Sequence, residues 1–421
     1  MPRRARGATG GARRSCARWA RRGEAGSVGM NGIAAAAPVK VSLARPRERA
    51  VAPAALAAAG ARVILGLHDP LSGVALTPAA NTLFGPRGAA VTADGALWVA
   101  DTGHHRLLGW PAVPTGDGEP ASWVIGQPGF DREGRNAHAE VNGASLNVPT
   151  GVCACGEGLA VADAWNHRVL IWHRAPRHSQ QPADVVLGQA DAHAGLANRG
   201  LDTPAADTLH WPYGVFWDGA RLWVADTGNR RVLRFDGLPA RDGQRANLVL
   251  GQPDFVHRDE NAGGVTQATM RWPHALAVWQ GHLCVADAGN NRLLLWRGDP
   301  ASNMARSDLI IGQGEIDALD HNRGEYFPSA RSLNMPYGLA VHEDRLFVAD
   351  TANSRVLRLD APAEREARAV AGQASFVDKG DNRWLPAVRD SLCWPYAIAI
   401  QGNTAIIVDS GNNRILLWDV A

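Results

Sequence analysis

Apolar residues come in short runs of four to seven along most of the chain, and Gly, Asn, Asp or Pro closes each run. The stretch from residue 336 is representative: "PYGLAVH", "RLFVAD", "SRVLRLD" and "RAVAGQ" follow one another with polar breaks between them. Runs this short, rich in Val, Leu, Ile and Trp, predict β-strands, because amphipathic helices need longer stretches of 3.6-residue periodicity. Four such runs make one unit. The "DTGN" type of link between the second and third runs predicts a tight turn of residues that tolerate positive φ.

The unit recurs. The phrase "LWVADTGHHRLLGW" at 97 returns five times, as "LAVADAWNHRVLIW", "LWVADTGNRRVLRF", "LCVADAGNNRLLLW", "LFVADTANSRVLRL" and "AIIVDSGNNRILLW". Its aspartates are Asp101, Asp163, Asp226, Asp287, Asp350 and Asp409, spaced by 59 to 63 residues. Five residues after each comes an arginine: Arg106, Arg168, Arg231, Arg292, Arg355 and Arg414. Each Asp is preceded by a proline 14 or 15 residues upstream, and five units close on a Gly-Gln pair with an Asn ten residues beyond its glycine. A period of this length, with four strands per repeat, predicts an all-β fold: a six-bladed β-propeller of four-stranded antiparallel blades. The sixth copy ends without a fourth run, while "ARVILGLHD" at 61–69 matches the missing one. The N-terminal strand, at about 62–67, is therefore expected to complete the last blade and close the ring, removing two open sheet edges.

The phrase V-A-D-x-x-N-x-R-[VL]-L resembles the NHL repeat, over about residues 62–421. The resemblance implies a six-bladed propeller and little about chemistry, since the family's relatives include RNA- and protein-binding modules and the lyase that finishes peptide amidation. The chain departs from the phrase at His104, where Asn is expected, and at Val408. The lyase places metal-holding histidines in Pro-His segments. Here only His274 fills such a position, so its metal chemistry is not carried over.

Charge divides the chain. Residues 1–61 hold twelve Lys/Arg against two Asp/Glu, and residues 62–421 hold 31 against 39. The first part, Arg-rich and then Ala/Pro-rich, is expected to be a disordered extension, with Met1 or Met30 as the start. It lacks the apolar run of a secretory signal. The acidic remainder is ill suited to a phosphate backbone, which leaves the N-terminal arm as the one expected route to nucleic acid. No 18-residue apolar stretch occurs, so no membrane span is expected. Five scattered cysteines without a CxxC pair predict no zinc site and favour a reducing, cytoplasmic setting. No cofactor is expected.

In a propeller the first strand of each blade lines the central channel. The residue after each blade proline is therefore expected at one channel mouth: Arg87, Thr150, Tyr213, His274, Tyr337 and Tyr396. Three phenols, an imidazole and a guanidinium could bind a small organic ligand or a peptide end. The twelve Asp and Arg residues of the phrase are expected to be structural, pairing beside the turn. Trp211, Trp272 and Trp394, just before the prolines, are expected to pack between blades. No HExxH, phosphate loop or nucleophile elbow is present, which weighs against an enzyme. The favoured reading is a soluble scaffold that binds a protein or peptide through one face and the channel mouth. The alternative is a metal-assisted lyase or hydrolase acting at the central channel.

Overall fold

The computed structural model describes residues 50–66 and 77–421. Among the described residues, twenty-four strands form six antiparallel sheets of four. Blade 1 consists of Gly88–Val91, Leu97–Asp101, Arg106–Trp110 and Trp123–Ile125. Blades 2 to 5 repeat this order, with inner strands Pro149–Cys155, Pro212–Trp217, Pro273–Trp279 and Pro336–His342. Blade 6 joins Pro395–Gln401, Thr404–Asp409 and Arg414–Asp419 to Val63–Leu65 from the other end of the chain. In that pairing Val63 faces Leu417 and Leu65 faces Ile415. Each inner strand contacts those of both neighbouring blades, so the six surround one axis.

Closure takes more chain than the expected strand. Residues 54–61, expected in the extension, pack on the propeller. Leu56 bridges Val420, Ala54 bridges Val370, and Ala55, Leu56 and Ala61 are buried with Ile407, Leu416 and Trp418. The physical reason is an apolar stretch, "APAALAAAGA", able to cover the last two blades. The rest of the expected extension, residues 1–49 with the Arg-rich arm and Met30, lies outside the described residues, as does residue 67 of the expected strand.

The core is divided into layers, one between each pair of adjacent blades. Between blades 2 and 3, for example, Ala160, Val169 and Ile171 meet Val215, Leu222 and Val224. Alternate side chains of each strand thus bury against opposite neighbours. Trp110, Trp172, Trp296 and Trp418 lie at the ends of third strands in these layers, and the first three indole N–H groups donate to a carbonyl of the following connection, that of Trp110 to Glu119 at 3.0 Å and that of Trp172 to Gln181 at 3.1 Å.

The turn after the second strand is tight, as expected, but its positive φ falls on the residue after the "DTGN" phrase rather than within it. A single 3-10 turn, such as Thr102–His104, is followed by one left-handed residue: His105, His167, Arg230, Asn291, Ser354 or Asn413. The glycines before it serve close packing instead. A Cβ on Gly228 would stand 2.5 Å from the His210 carbonyl oxygen.

Each repeated Asp–Arg pair is fully buried. In blade 3 the Arg231 Nε donates to Asp226 Oδ2 at 2.8 Å, and the Asn229 amide donates to the same oxygen at 2.7 Å. Asp226 Oδ1 accepts the His210 backbone N–H at 2.7 Å, an amide from the approach to the blade rather than from the turn. The rest of the guanidinium donates to the carbonyls of Phe255, Ala205 and Thr208, so one cation ties the preceding and following connections to the blade. Bonding all three guanidinium nitrogens in this way offsets the desolvation of the pair. The link asparagines add a second tie. Asn198 and Asn229 exchange amide hydrogen bonds at 3.1 and 2.9 Å. The pairs Asn136–Asn166, Asn261–Asn290, Asn322–Asn353 and Asn382–Asn412 repeat it. Links and turns therefore share one face.

Candidate functional site

The inner strands of blades 2 to 6 begin at the blade prolines and that of blade 1 begins two residues after Pro86, which places the six post-proline residues in one tier around the axis. Small residues next to them allow the strands to approach: a Cβ on Gly214 would collide with the His274 carbonyl, and one on Gly151 would stand 2.6 Å from the Tyr213 carbonyl oxygen. Five of the six side chains then contact one another in turn around the ring, their rings tilted or stacked. Tyr213 lies 5.0 Å from His274, His274 lies 4.1 Å from Tyr337, and Tyr337 lies 4.6 Å from Tyr396. The Arg87 guanidinium covers Tyr396 at 4.8 Å. Thr150 turns away, and its hydroxyl donates to the Pro212 carbonyl at 3.4 Å. The tier is thus a packed aromatic layer rather than a set of separate mouth residues.

Two cavities share this layer. The channel, of about 310 Å³, is lined by the six inner strands. A mouth pocket of about 620 Å³ lies against Tyr213, His274, Tyr337 and Tyr396 and extends over blades 3 and 4 to His210, Trp211, Arg230, Arg258, Asp259, Glu260 and Trp272. Burial, and then the nearby Arg87 charge, hold the His274 imidazole down to about 3, so it is neutral at physiological pH. Burial likewise pushes the Tyr337 and Tyr396 phenols up, keeping both protonated. The layer is therefore an uncharged aromatic surface with one cation at its edge.

Trp211, Trp272 and Trp394 depart from expectation. They are 43%, 38% and 38% exposed instead of packed between blades. The backbone explains Trp211 and Trp394, whose φ values of 49° and 51° turn the residue before proline outward. Gly85, Val148 and Met335 share this conformation. In all five cases the amide donates to the left-handed turn residue of the preceding blade. Val148 donates to His105, Trp211 to His167, Met335 to Asn291, Trp394 to Ser354 and Gly85 to Asn413.

The sixth junction breaks the rule. Its turn residue is Arg230, which can donate but not accept. Trp272 is outside the positive-φ set. Arg230 instead donates to the carbonyls of Gly228 and Arg258, at 3.3 and 3.1 Å. The mouth pocket opens beside this junction. The signal was present in the sequence: the residue before each repeated Arg reads His, His, Arg, Asn, Ser, Asn, five acceptors and one cation.

Among the described residues, no group of three His, Cys, Asp or Glu stands close enough to hold a metal ion. Cys153, Cys155, Cys284 and Cys393 are free thiols. No helix of the described residues is long and apolar enough to cross a membrane.

The NHL repeat family model matches residues 85–110 and 270–294, which contain the proline, Asp and Arg positions of blades 1 and 4. With the same phrase in all six blades, the chain is an NHL-repeat six-bladed β-propeller. No curated protein matches the chain. Among solved structures, it is similar to a Bacteroides thetaiotaomicron protein of unknown function, with 11% identity, TM-score 0.49 and coverage of 85% of this chain and 76% of that one. Virginiamycin B lyase from Staphylococcus aureus is 10% identical with TM-score 0.41, covering 82% of this chain and 98% of that one. Myxococcus xanthus glutaminyl cyclase is 11% identical with TM-score 0.35, covering 86% and 99%. Similarity at these levels transfers no activity.

Proposed function

We propose that the protein is a binding scaffold that takes a protein or peptide partner at the mouth between blades 3 and 4. The observation that carries this reading is the mouth pocket: about 620 Å³ of space over an uncharged aromatic floor, with two half-exposed tryptophans on its walls. Exposed Trp beside Arg is the composition of interaction hot spots, and a rigid ring of blades holds such residues in place. No cofactor enters this reading. The alternative, a metal-assisted lyase or hydrolase, requires converging ligands. His274 has tyrosines on both sides, and no geometry at the channel favours that chemistry over binding.

The test is affinity capture with the full chain and with a Trp211→Ala/Trp272→Ala double variant. A partner held by the wild type and released by the folded double variant supports the reading. Equal retention by both overturns it.

A further inference from the structure

The mouth pocket carries more than aromatic surface. Arg230 and Arg258 both line it. The Arg230 guanidinium bonds only to carbonyls, and its Nε is buried without a partner. Among the described residues, no acceptor or ion-pair partner faces the Arg258 guanidinium. Two carboxylates also lie on the rim, Asp259 and Glu260. Glu260 is engaged by Arg271, whose Nε is 3.1 Å away, and Asp259 is exposed. The fixed charges of Arg230, Arg258, Arg271, Asp259 and Glu260 therefore leave an excess of one cation. The field reaches the pocket wall. Burial lowers the His210 imidazole, Asp226 acts in the opposite direction, and both Arg258 and Arg230 lower it further.

We infer that this pocket is a carboxylate-binding subsite, in which Arg230 and Arg258 hold the carboxylate of a ligand whose aromatic or large apolar body lies on the Tyr213–His274–Tyr337 floor between Trp211 and Trp272. Guanidinium forks match carboxylates in geometry, and they bind most strongly where apolar walls exclude water. The break at the blade 3–4 junction gains a purpose here. An acceptor at position 230 would bond the Trp272 amide, as at the other five junctions. Arginine forgoes that bond and places a cation beside the pocket instead. This inference rests on the binding reading above and names the chemistry that the site recognises. The C-terminus of a peptide and a free aromatic acid both present this carboxylate, and the experiment separates the two.

The full chain is titrated with N-acetyl-phenylalanine, N-acetyl-phenylalanine amide, and the peptide N-acetyl-Gly-Gly-Phe as acid and amide, with calorimetry as readout. Each acid is expected to bind about tenfold or more tightly than its amide. Arg230→Asn, which installs the acceptor found at blades 4 and 6, and Arg258→Gln are each expected to remove that preference while the thermal midpoint is kept. Tighter binding of the peptide acid assigns the site to a C-terminus, and tighter binding of the single residue assigns it to a free aromatic acid. Equal affinity for acid and amide, no saturation by any probe at millimolar concentration, or a preference that survives both substitutions overturns the inference. If the double tryptophan variant still loses its captured partner while acid and amide bind alike, the carboxylate subsite falls and the scaffold reading stands.

Discussion

The indole N–H of Trp418 donates to the carbonyl of Ala57 at 2.7 Å, across 361 residues of chain. In the other blades that end on Trp the same bond is local, as from Trp172 to Gln181, nine residues on. The N-terminal segment therefore replaces a whole connection of the repeat as well as its last strand. Removing residues 50–66 is expected to leave an open blade edge and an uncovered apolar layer. The truncated chain should be insoluble, or should melt far below the full chain in a thermal scan. An unchanged midpoint would refute the closure.

The buried pairs set a second expectation. Arg231→Ala leaves the buried Asp226 carboxyl group with only two donors, and frees the carbonyls of Phe255, Ala205 and Thr208. Breaking such a pair costs about 3–5 kcal/mol. Urea denaturation should show that loss, whereas substitution of exposed Arg174 should change stability by less than about 0.5 kcal/mol.

Close approach of the inner strands gives a third. Gly214→Ala forces a methyl group against the His274 carbonyl and so disturbs the aromatic layer at its centre. A stability loss of about 1–3 kcal/mol is expected. Gly219→Ala, where no atom lies within 4 Å but φ is 99°, tests backbone strain without packing.

Acid should weaken the ring. His105 and His167 are lowered to about 4, in both cases chiefly by burial. Arg135, His104 and His138 lower His105 further while Asp101 opposes them, and His210 lowers His167. Both use Nδ1 to accept a backbone N–H from the next blade, which requires an unprotonated nitrogen. His274 is lowered to about 3. Unfolded imidazoles bind protons near pH 6.5 while the folded ones do not, so the unfolded state binds more protons below that pH. The stability these groups contribute is fully present above about pH 6.5 and is lost as pH falls towards 4 and then 3. The thermal midpoint should drop over that window, and His167→Asn, which keeps an acceptor, should reduce the drop.

Much of this was legible because a repeat multiplies each signal. The Asp, Arg, Pro and link Asn positions recur at one spacing, so the ring and its closure followed from the sequence. Single residues were harder to read. The outward turn of Trp211 depends on a positive φ before proline, which propensity does not favour, and on an acceptor 44 residues away. The stacking of Tyr213, His274, Tyr337 and Tyr396 depends on how closely the inner strands approach. Arg230 was readable only as a departure, because its meaning lies in what the other five junctions do.

The most direct measurement is a thermal-shift series of peptides and aromatic carboxylates against the wild type and the Trp211→Ala/Trp272→Ala variant. The account predicts at least one probe that raises the midpoint of the wild type and leaves the variant unmoved. Probes that stabilise both proteins equally would place binding elsewhere and contradict the mouth pocket as the functional site.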